Sequence, residues 1–431
     1  MSTPERVALA RRHVAAATIG NALEFYDFIT YAFFSIQIGH AFFPTHDAYG
    51  SLMLSLATFG VGFVTRPIGG IIIGSYADRV GRKPAMLLSF MLMGVAIVSI
   101  ALIPPYRTIG IAAPILAILA RMVQGFALGG EVGPTTAYLL EAAPLKGRGF
   151  AVSWQGASQG IAATVGSLVG VGLSAVMSPG ALDEYGWRMA FLLGAVTLPF
   201  GLWIRSNLPE TLEGLETEPR ITGARARLGA ARASSRIIVL ALVVLASGTI
   251  GTYVFNYMTT FAQNTLHMKP GDAFLAGAAG NVAGVISGLF GGWLSDRIGR
   301  RPVMIWPNLA FLVLILPTFF WIIAARNPAA LVVGSIGLGF LSSMGIGAFY
   351  TAVTETLPSG IRGGAFATIY ATSIALFGGT TQFVITWLIK VTGDPMSPAW
   401  YLFAATLIGQ IAYVLIVESA PAKAKLVVAA A

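Results

Sequence analysis

The chain has 431 residues, 56% hydrophobic and only 10% charged, with a net charge of +9 and no cysteine. Soluble globular domains carry about 25% charged residues, so this composition excludes an ordinary soluble enzyme and points to a chain that crosses a bilayer repeatedly. Without cysteine there is no disulfide, thiolate nucleophile or cysteine-held metal, and His13, His40, His46 and His267 show no metal-ligand spacing. Neither a GxxxxGK[ST] phosphate loop nor HExxH occurs, so an ATP-driven pump or a zinc hydrolase is not expected, and no cofactor or metal is called for.

The N-terminal stretch from Met1 to Arg12 is short and charged, and no small-residue cleavage site follows it, so the first apolar run is expected to be a retained helix. About twelve apolar segments follow, over 14–42, 51–74, 85–103, 113–140, 150–176, 187–204, 237–262, 273–294, 303–323, 330–356, 365–389 and 399–417. The longest gap, 205–236, holds arginines, glutamates and the breakers Pro209 and Pro219. The predicted architecture is therefore an all-α integral membrane protein of about twelve transmembrane helices in two six-helix bundles, 1–204 and 237–431, joined by a cytoplasmic linker at 205–236. With the N-terminus inside, 20 of the 27 lysines and arginines fall in inner segments and 5 in outer ones, which predicts both termini in the cytoplasm. The positive charge is thus read as membrane orientation, with no nucleic-acid partner.

The stretch GSYADRVGRK, 74–83, recurs as GWLSDRIGRR, 292–301, and a proline follows each copy. Asp78 and Asp296 lie 218 residues apart, about half the chain. A second echo pairs Glu141, Pro144, Arg148 and Gly149 with Glu355, Pro358, Arg362 and Gly363, all offset by 214. Two motifs with nearly one offset mean a tandem duplication. Glycines recur every fourth residue at Gly280, Gly284, Gly288 and Gly292, and again at Gly156 with Gly160 and Gly166 with Gly170. Such rows let helix backbones approach closely, for packing or for sliding.

Ionisable groups within spans cost about 2.5–3.5 kcal/mol each. The first span carries Glu24 and Asp27, the second Arg66, and the fourth Arg121, Gln124 and Glu131. Counted at ~1.5 Å per residue, Glu24, Asp27, Arg66 and Glu131 fall in the inner half, and Arg121 lies in the outer part of its helix. Two readings fit: ion pairs that hold the bundle together, or a proton relay in which a movable arginine shifts a carboxylate pKa. In the second half the intramembrane candidates are mainly Glu355 and Lys390, near helix ends, so its cavity wall is expected to use Asn256, Tyr257, Asn281, Tyr350, Tyr370 and Gln382.

The paired G-x-x-x-D-R-x-G-R-[KR] loops, the two halves and the polar linker resemble the major facilitator superfamily. That resemblance implies bundles related by an axis along the membrane normal, with substrate between them near the midplane. It also implies that Asp78 and Asp296 latch the cytoplasmic side by pairing with basic residues and helix ends. Arg79, Arg82, Arg297 and Arg300 stand in the same loops, and Glu141 with Arg148 and Glu355 with Arg362 are the expected partners. The bland alternative is a structural inner loop that merely obeys the charge rule.

GNALEFYDF and RMVQGFALGGE are further similar to the metabolite:proton symporter family, and SWQGASQG with LIKVTGDPMSPAW looks most like its citrate and tricarballylate symporters. The resemblance implies proton coupling through Glu24, Asp27, Arg121 and Glu131. Pro134 departs from the family, which usually has a small residue there, and it is expected to kink the helix beside Glu131. A tricarboxylate needs cationic and amide donors; Arg66, Arg121 and Lys390 are the cations, with Asn21, Tyr26, Gln124, Gln155 and Gln159 beside them. Asn256, Tyr257, Asn281 and Tyr350 would complete the site. Lys390 reads equally as a snorkelling interfacial lysine.

The expected function is import of a citrate-like organic anion by proton symport with alternating access. The alternative is another solute: a dicarboxylate, an aromatic acid, or an osmolyte such as proline or betaine. The expected partners are that small anion, protons and the lipid bilayer, for a monomer in the cytoplasmic (inner) membrane. A drug exporter is disfavoured because 150–176 contains no Gly-Pro pair.

Overall fold

The computed structural model describes residues 18–23, 25–26, 28–80, 82–129, 139, 147–196, 198–199, 201–202, 229, 232 and 234–419. They are helical almost throughout, with no strand among them. The first half comprises α1 (18–23, 25–26 and 28–33), α2 (Ser35–Phe42), α3 (Ala48–Val80), α4 (Arg82–Leu102), the short α5 (Tyr106–Ile109), α6 (Ala112–Leu128), α7 (Arg148–Val176) and α8 (Trp187–Val196). The second comprises α9 (Ser235–Asn264), α10 (Pro270–Ile298), α11 (Arg300–Ala325), α12 (Pro328–Met344), α13 (Ile346–Thr356), α14 (Ser359–Ser373), α15 (Thr381–Thr392) and α16 (Ser397–Leu415). Among the described residues eight helical stretches are long and apolar enough to cross a membrane, and Leu87–Leu102 and Ala112–Leu128 are shorter apolar helices. Only helices and closed barrels can satisfy every backbone group within lipid, so this is the all-α membrane architecture that the composition requires.

Local chemistry sets the helix ends. The Asn327 side chain accepts the Ala330 amide at 2.8 Å, and Pro328 begins α12, where a missing N–H costs nothing. Gly393, at φ +67°, closes α15 in the left-handed conformation.

The duplicated motif turns out to be a corner between helices. It was expected as a loop, yet α3 continues through Asp78 and Arg79 to Val80, and α10 continues through Asp296 to Ile298. Gly299 then turns the chain at φ +102°, and α11 begins at Arg300. Only glycine takes that backbone freely, which explains the glycine ahead of the basic pair in the motif. Around Glu355 the break is similar: α13 ends at Thr356 and α14 begins at Ser359.

The two halves meet along α7 and α10. A Cβ on Gly292 would lie 2.6 Å from the Gly149 carbonyl oxygen, and one on Gly160 would lie 2.6 Å from the Val285 side chain. The glycine row on α10 therefore serves two neighbours, because Gly280 and Gly284 face α12 at Ser335 and Ser343. At the opposite side α3 meets the π-helical turn Ile374–Gly378 and α15: a Cβ on Gly60 would lie 2.7 Å from the Gly379 carbonyl oxygen.

Candidate functional site

A cavity of about 190 Å³ opens between α1 and α7 of the first half and α9, α10, α12 and α13 of the second. Its wall is rich in hydroxyls and amides, including Ser153, Gln159, Tyr253, Asn256, Asn281 and Tyr350. Five of the residues expected from sequence thus stand on it: Gln159, Asn256, Asn281, Tyr350 and Tyr370. The Gln159 amide donates to the Tyr370 hydroxyl at 3.3 Å, a bond between the halves.

Arg66 and Arg121 do not line this wall; they lie behind it. Arg66 is 6% exposed and Arg121 not at all. Counting along the helices separates them, but the structure brings both to one ring. The Arg66 guanidinium carbon lies 4.4 Å from the Phe28 ring centre and 4.6 Å from that of Phe63. That of Arg121 lies 4.7 Å from Phe28, 4.6 Å from Tyr31 and 4.8 Å from Phe59.

Cation–π contacts of this kind contribute about 0.5–2 kcal/mol each, well short of offsetting a buried charge. Arg121 donates to Gln124 Oε1 and, at 3.3 Å, to the Phe59 carbonyl. Its Nε, together with Nε and Nη2 of Arg66 and Nε2 of Gln124, has no hydrogen-bond partner among the described residues. No described carboxylate pairs with either arginine. Nε and Nη2 form one edge of a guanidinium, the edge that takes a carboxylate bidentately. With rings over its faces, Arg66 can meet a ligand only through such an edge.

Other expected contacts are engaged within one half. Asn21 donates to Ser158 at 2.7 Å, the Tyr26 hydroxyl donates to the Ala190 carbonyl at 2.9 Å, and the Tyr257 hydroxyl accepts from Thr386 at 2.9 Å. Gln155 is buried off the cavity wall, with neither amide atom partnered among the described residues. Lys390, half-exposed, stands near the end of α15 and is ion-paired with Asp47, across the halves and away from the cavity. The ammonium that bonds it holds the Asp47 carboxyl below its ordinary range.

At the other end of the molecule, Asp296 accepts the Gly149 and Phe150 amides, each at 2.9 Å. Arg300 donates to Asp296 at 2.6 Å and to Glu355 at 3.2 Å; all three side chains are at most 7% exposed. Glu355 thus pairs with Arg300; its expected pairing with Arg362 lies outside the described side chains. Arg297 instead lies 3.9 Å over Trp293, and Nε of Arg148 is buried without a partner among the described residues. Sequence reasoning missed Glu418, which accepts the Arg300 and Arg301 amides at 2.9 and 3.0 Å, and Ser419, which donates to Glu355 at 2.9 Å. A carboxylate at the end of the last apolar run was the available signal. Glu24, Asp27, Glu131, Pro134 and Glu141 lie outside the described residues, as do the side chains of Asp78, Arg79, Arg82 and Arg362.

Helices that span a membrane, two halves joined by the Lys390–Asp47 ion pair at one end and by Asp296 hydrogen bonds to α7 amides at the other, and a cavity between them with hydroxyls and amides on its wall define a membrane transporter. The Major Facilitator Superfamily profile matches residues 17–371 and 266–430, and the chain belongs to that family. It is 36% identical over 397 residues to the citrate-proton symporter of Salmonella typhi, covering 92% of this chain and 91% of that protein. It is 31% identical over 425 residues to the proline/betaine transporter of Salmonella typhimurium, covering 95% of this chain and 84% of that one. Among solved structures, the xylose transporter of E. coli in a partially occluded inward-open conformation superposes with a TM-score of 0.75 at 16% identity, covering 95% of this chain and 98% of that one.

Proposed function

We propose that this transporter imports a citrate-like organic anion together with protons, by alternating access. The observation that carries the reading is the Nε/Nη2 edge of Arg66, unpartnered among the described residues, buried beside Arg121 and flanked by rings. Two guanidinium groups on one ring repel each other, and a multiply charged anion relieves both. The likeness to a citrate-proton symporter supports the same choice. A zwitterionic osmolyte carries one carboxylate and offers less to this pair.

In this reading Glu24, Asp27 and Glu131 carry the protons, and Arg121 shifts their pKa as it moves. Gln124, Gln159, Asn256, Asn281 and Tyr350 complete the substrate's contacts. The bundles divide at the 205–236 linker, with the Lys390–Asp47 pair external and the Asp296 network cytoplasmic, consistent with the distribution of basic residues. Asp296, Arg300, Glu355 and Arg148, with Asp78, Arg79, Arg82, Glu141, Arg297 and Arg362, form the cytoplasmic latch. The chain works as a monomer in the inner membrane.

Proteoliposomes loaded with a pH-sensitive dye test the coupling. Added citrate is expected to acidify the lumen. Citrate entry with no change in luminal pH would contradict proton symport.

A further inference from the structure

The hydroxyl-rich cavity and the arginine pair are neighbours, yet neither arginine reaches the cavity wall. One side chain belongs to both places. Tyr253 of α9 lines the cavity and is 5% exposed. Its ring centre lies 5.5 Å from that of Phe63 at 83° and 6.0 Å from that of Phe59 at 61°. Those are the rings that cover Arg66 and Arg121. The order from inside outward is guanidinium, phenylalanine, Tyr253, cavity.

The second half holds Tyr253 in place. Gln382 donates to its carbonyl at 3.3 Å, and Gly378 leaves the slot its ring occupies, since a Cβ there would lie 3.0 Å from Tyr253 Cε2. The hydroxyl itself makes no hydrogen bond among the described residues, and Arg66 and Arg121 lie within electrostatic reach of it. A phenol at the cavity wall near two cations, with no hydrogen-bond partner among the described residues, is free to donate to a ligand.

We propose that Tyr253 is a substrate-contacting, specificity-determining residue: its ring closes the way from the cavity to the arginine pair, and its phenol donates to the carboxylate bound there. The proposal rests on the organic-anion reading above. A carboxylate offers about four lone-pair sites, and a guanidinium edge takes two of them. The phenol supplies a donor to a third, from the opposite half of the chain. An anion so held touches α3 and α9 at once, so its binding draws the halves together. A substrate without a carboxylate offers nothing to exchange for the displaced ring, which makes the same residue a filter.

Tyr253→Phe keeps the ring contacts and removes only the O–H. The citrate KM is expected to rise about tenfold or more, the cost of one hydrogen bond to a charged group, while the maximal rate stays nearly constant. An unchanged KM would overturn the contact. Tyr253→Ala removes the ring. Phenylglyoxal, which adds to accessible guanidinium groups, is expected to label Arg66 and Arg121 severalfold faster in Tyr253→Ala than in the wild type without substrate, with Tyr253→Phe as slow as the wild type. Protected arginines in a Tyr253→Ala protein that melts and elutes like the wild type would overturn the ring's role. If the wild type takes up no citrate, the organic-anion reading fails, and the labelling still decides where Tyr253 stands.

Discussion

The Asp296 carboxylate accepts the Gly149 amide at 2.9 Å, so the aspartate of one motif copy caps the first turn of α7 in the other half of the chain. An anion suits a helix N-terminus, where amides lack partners and the dipole is positive. The same carboxylate holds Arg300 at 2.6 Å, which in turn holds Glu355. One residue therefore fastens α7, α10 and α13 together.

Replacing Asp296 by alanine is expected to release the proposed cytoplasmic latch. Losing two amide bonds to a carboxylate shifts the open-to-closed ratio by about 2 kcal/mol, roughly thirtyfold. The chain has no cysteine, so a single Ser153→Cys reporter in the cavity wall gives a clean signal. Its labelling from the cytoplasmic side should rise in Asp296→Ala; equal labelling would mean that Asp296 does not gate.

Arg66→Lys keeps the charge and removes the fork. The expected cost is about 2 kcal/mol of anion binding, roughly a thirtyfold higher KM for citrate. Stability should change little, because a lysine stem still packs against Phe28 and Phe63. Uptake kinetics across a citrate series measure this directly, and an unaltered KM would remove Arg66 from the site.

Much of the fold can be read from composition and duplication, because lipid permits few architectures and the repeated Asp-Arg-x-Gly-Arg corner marks equivalent points in the two halves. The site is harder to read. Asn21, Tyr26 and Tyr257 have the right chemistry for a cavity, but each is bonded inside its own half, and no local pattern reveals which face of a lipid-clad helix turns inward. Tyr253 reads as one more aromatic in an apolar run; only the packing on Phe59 and Phe63 sets it apart. Arg66 and Arg121 could be nominated from their cost in a membrane, but their meeting on Phe28 is visible only in the packing of three helices.

Gly60 and Gly379 bring two backbones together between the halves, with a Cβ on Gly60 falling 2.7 Å from the Gly379 oxygen. Backbone cannot swing aside as a side chain can. Gly60→Leu is expected to hold α3 away from α15 and trap the carrier open toward the external face. Uptake should fall at least tenfold while citrate binding to purified protein persists, a difference worth about 1.4 kcal/mol or more. Normal uptake would show that this approach is not needed for the cycle.

The Asp47–Lys390 pair gives a prediction about pH. Lys390 holds the Asp47 carboxyl below its ordinary range. The contribution of such a group to closure is fully present above the ordinary carboxylate pKa of about 3.9 and is lost as pH falls through the lowered value. Asp47→Asn should therefore weaken external closure equally at pH 5.5 and pH 7.5, measured by accessibility of a cysteine at Ser55. An effect that changed between those values would require another titrating group in the contact.

The most direct test is uptake of labelled citrate and labelled betaine by the purified protein in proteoliposomes, with and without an imposed inward proton gradient. The expected result is citrate accumulation that rises with the gradient, collapses with a protonophore and is not matched by betaine. Gradient-driven accumulation of betaine without citrate would contradict the account, because the two buried arginines would then serve something other than an organic anion.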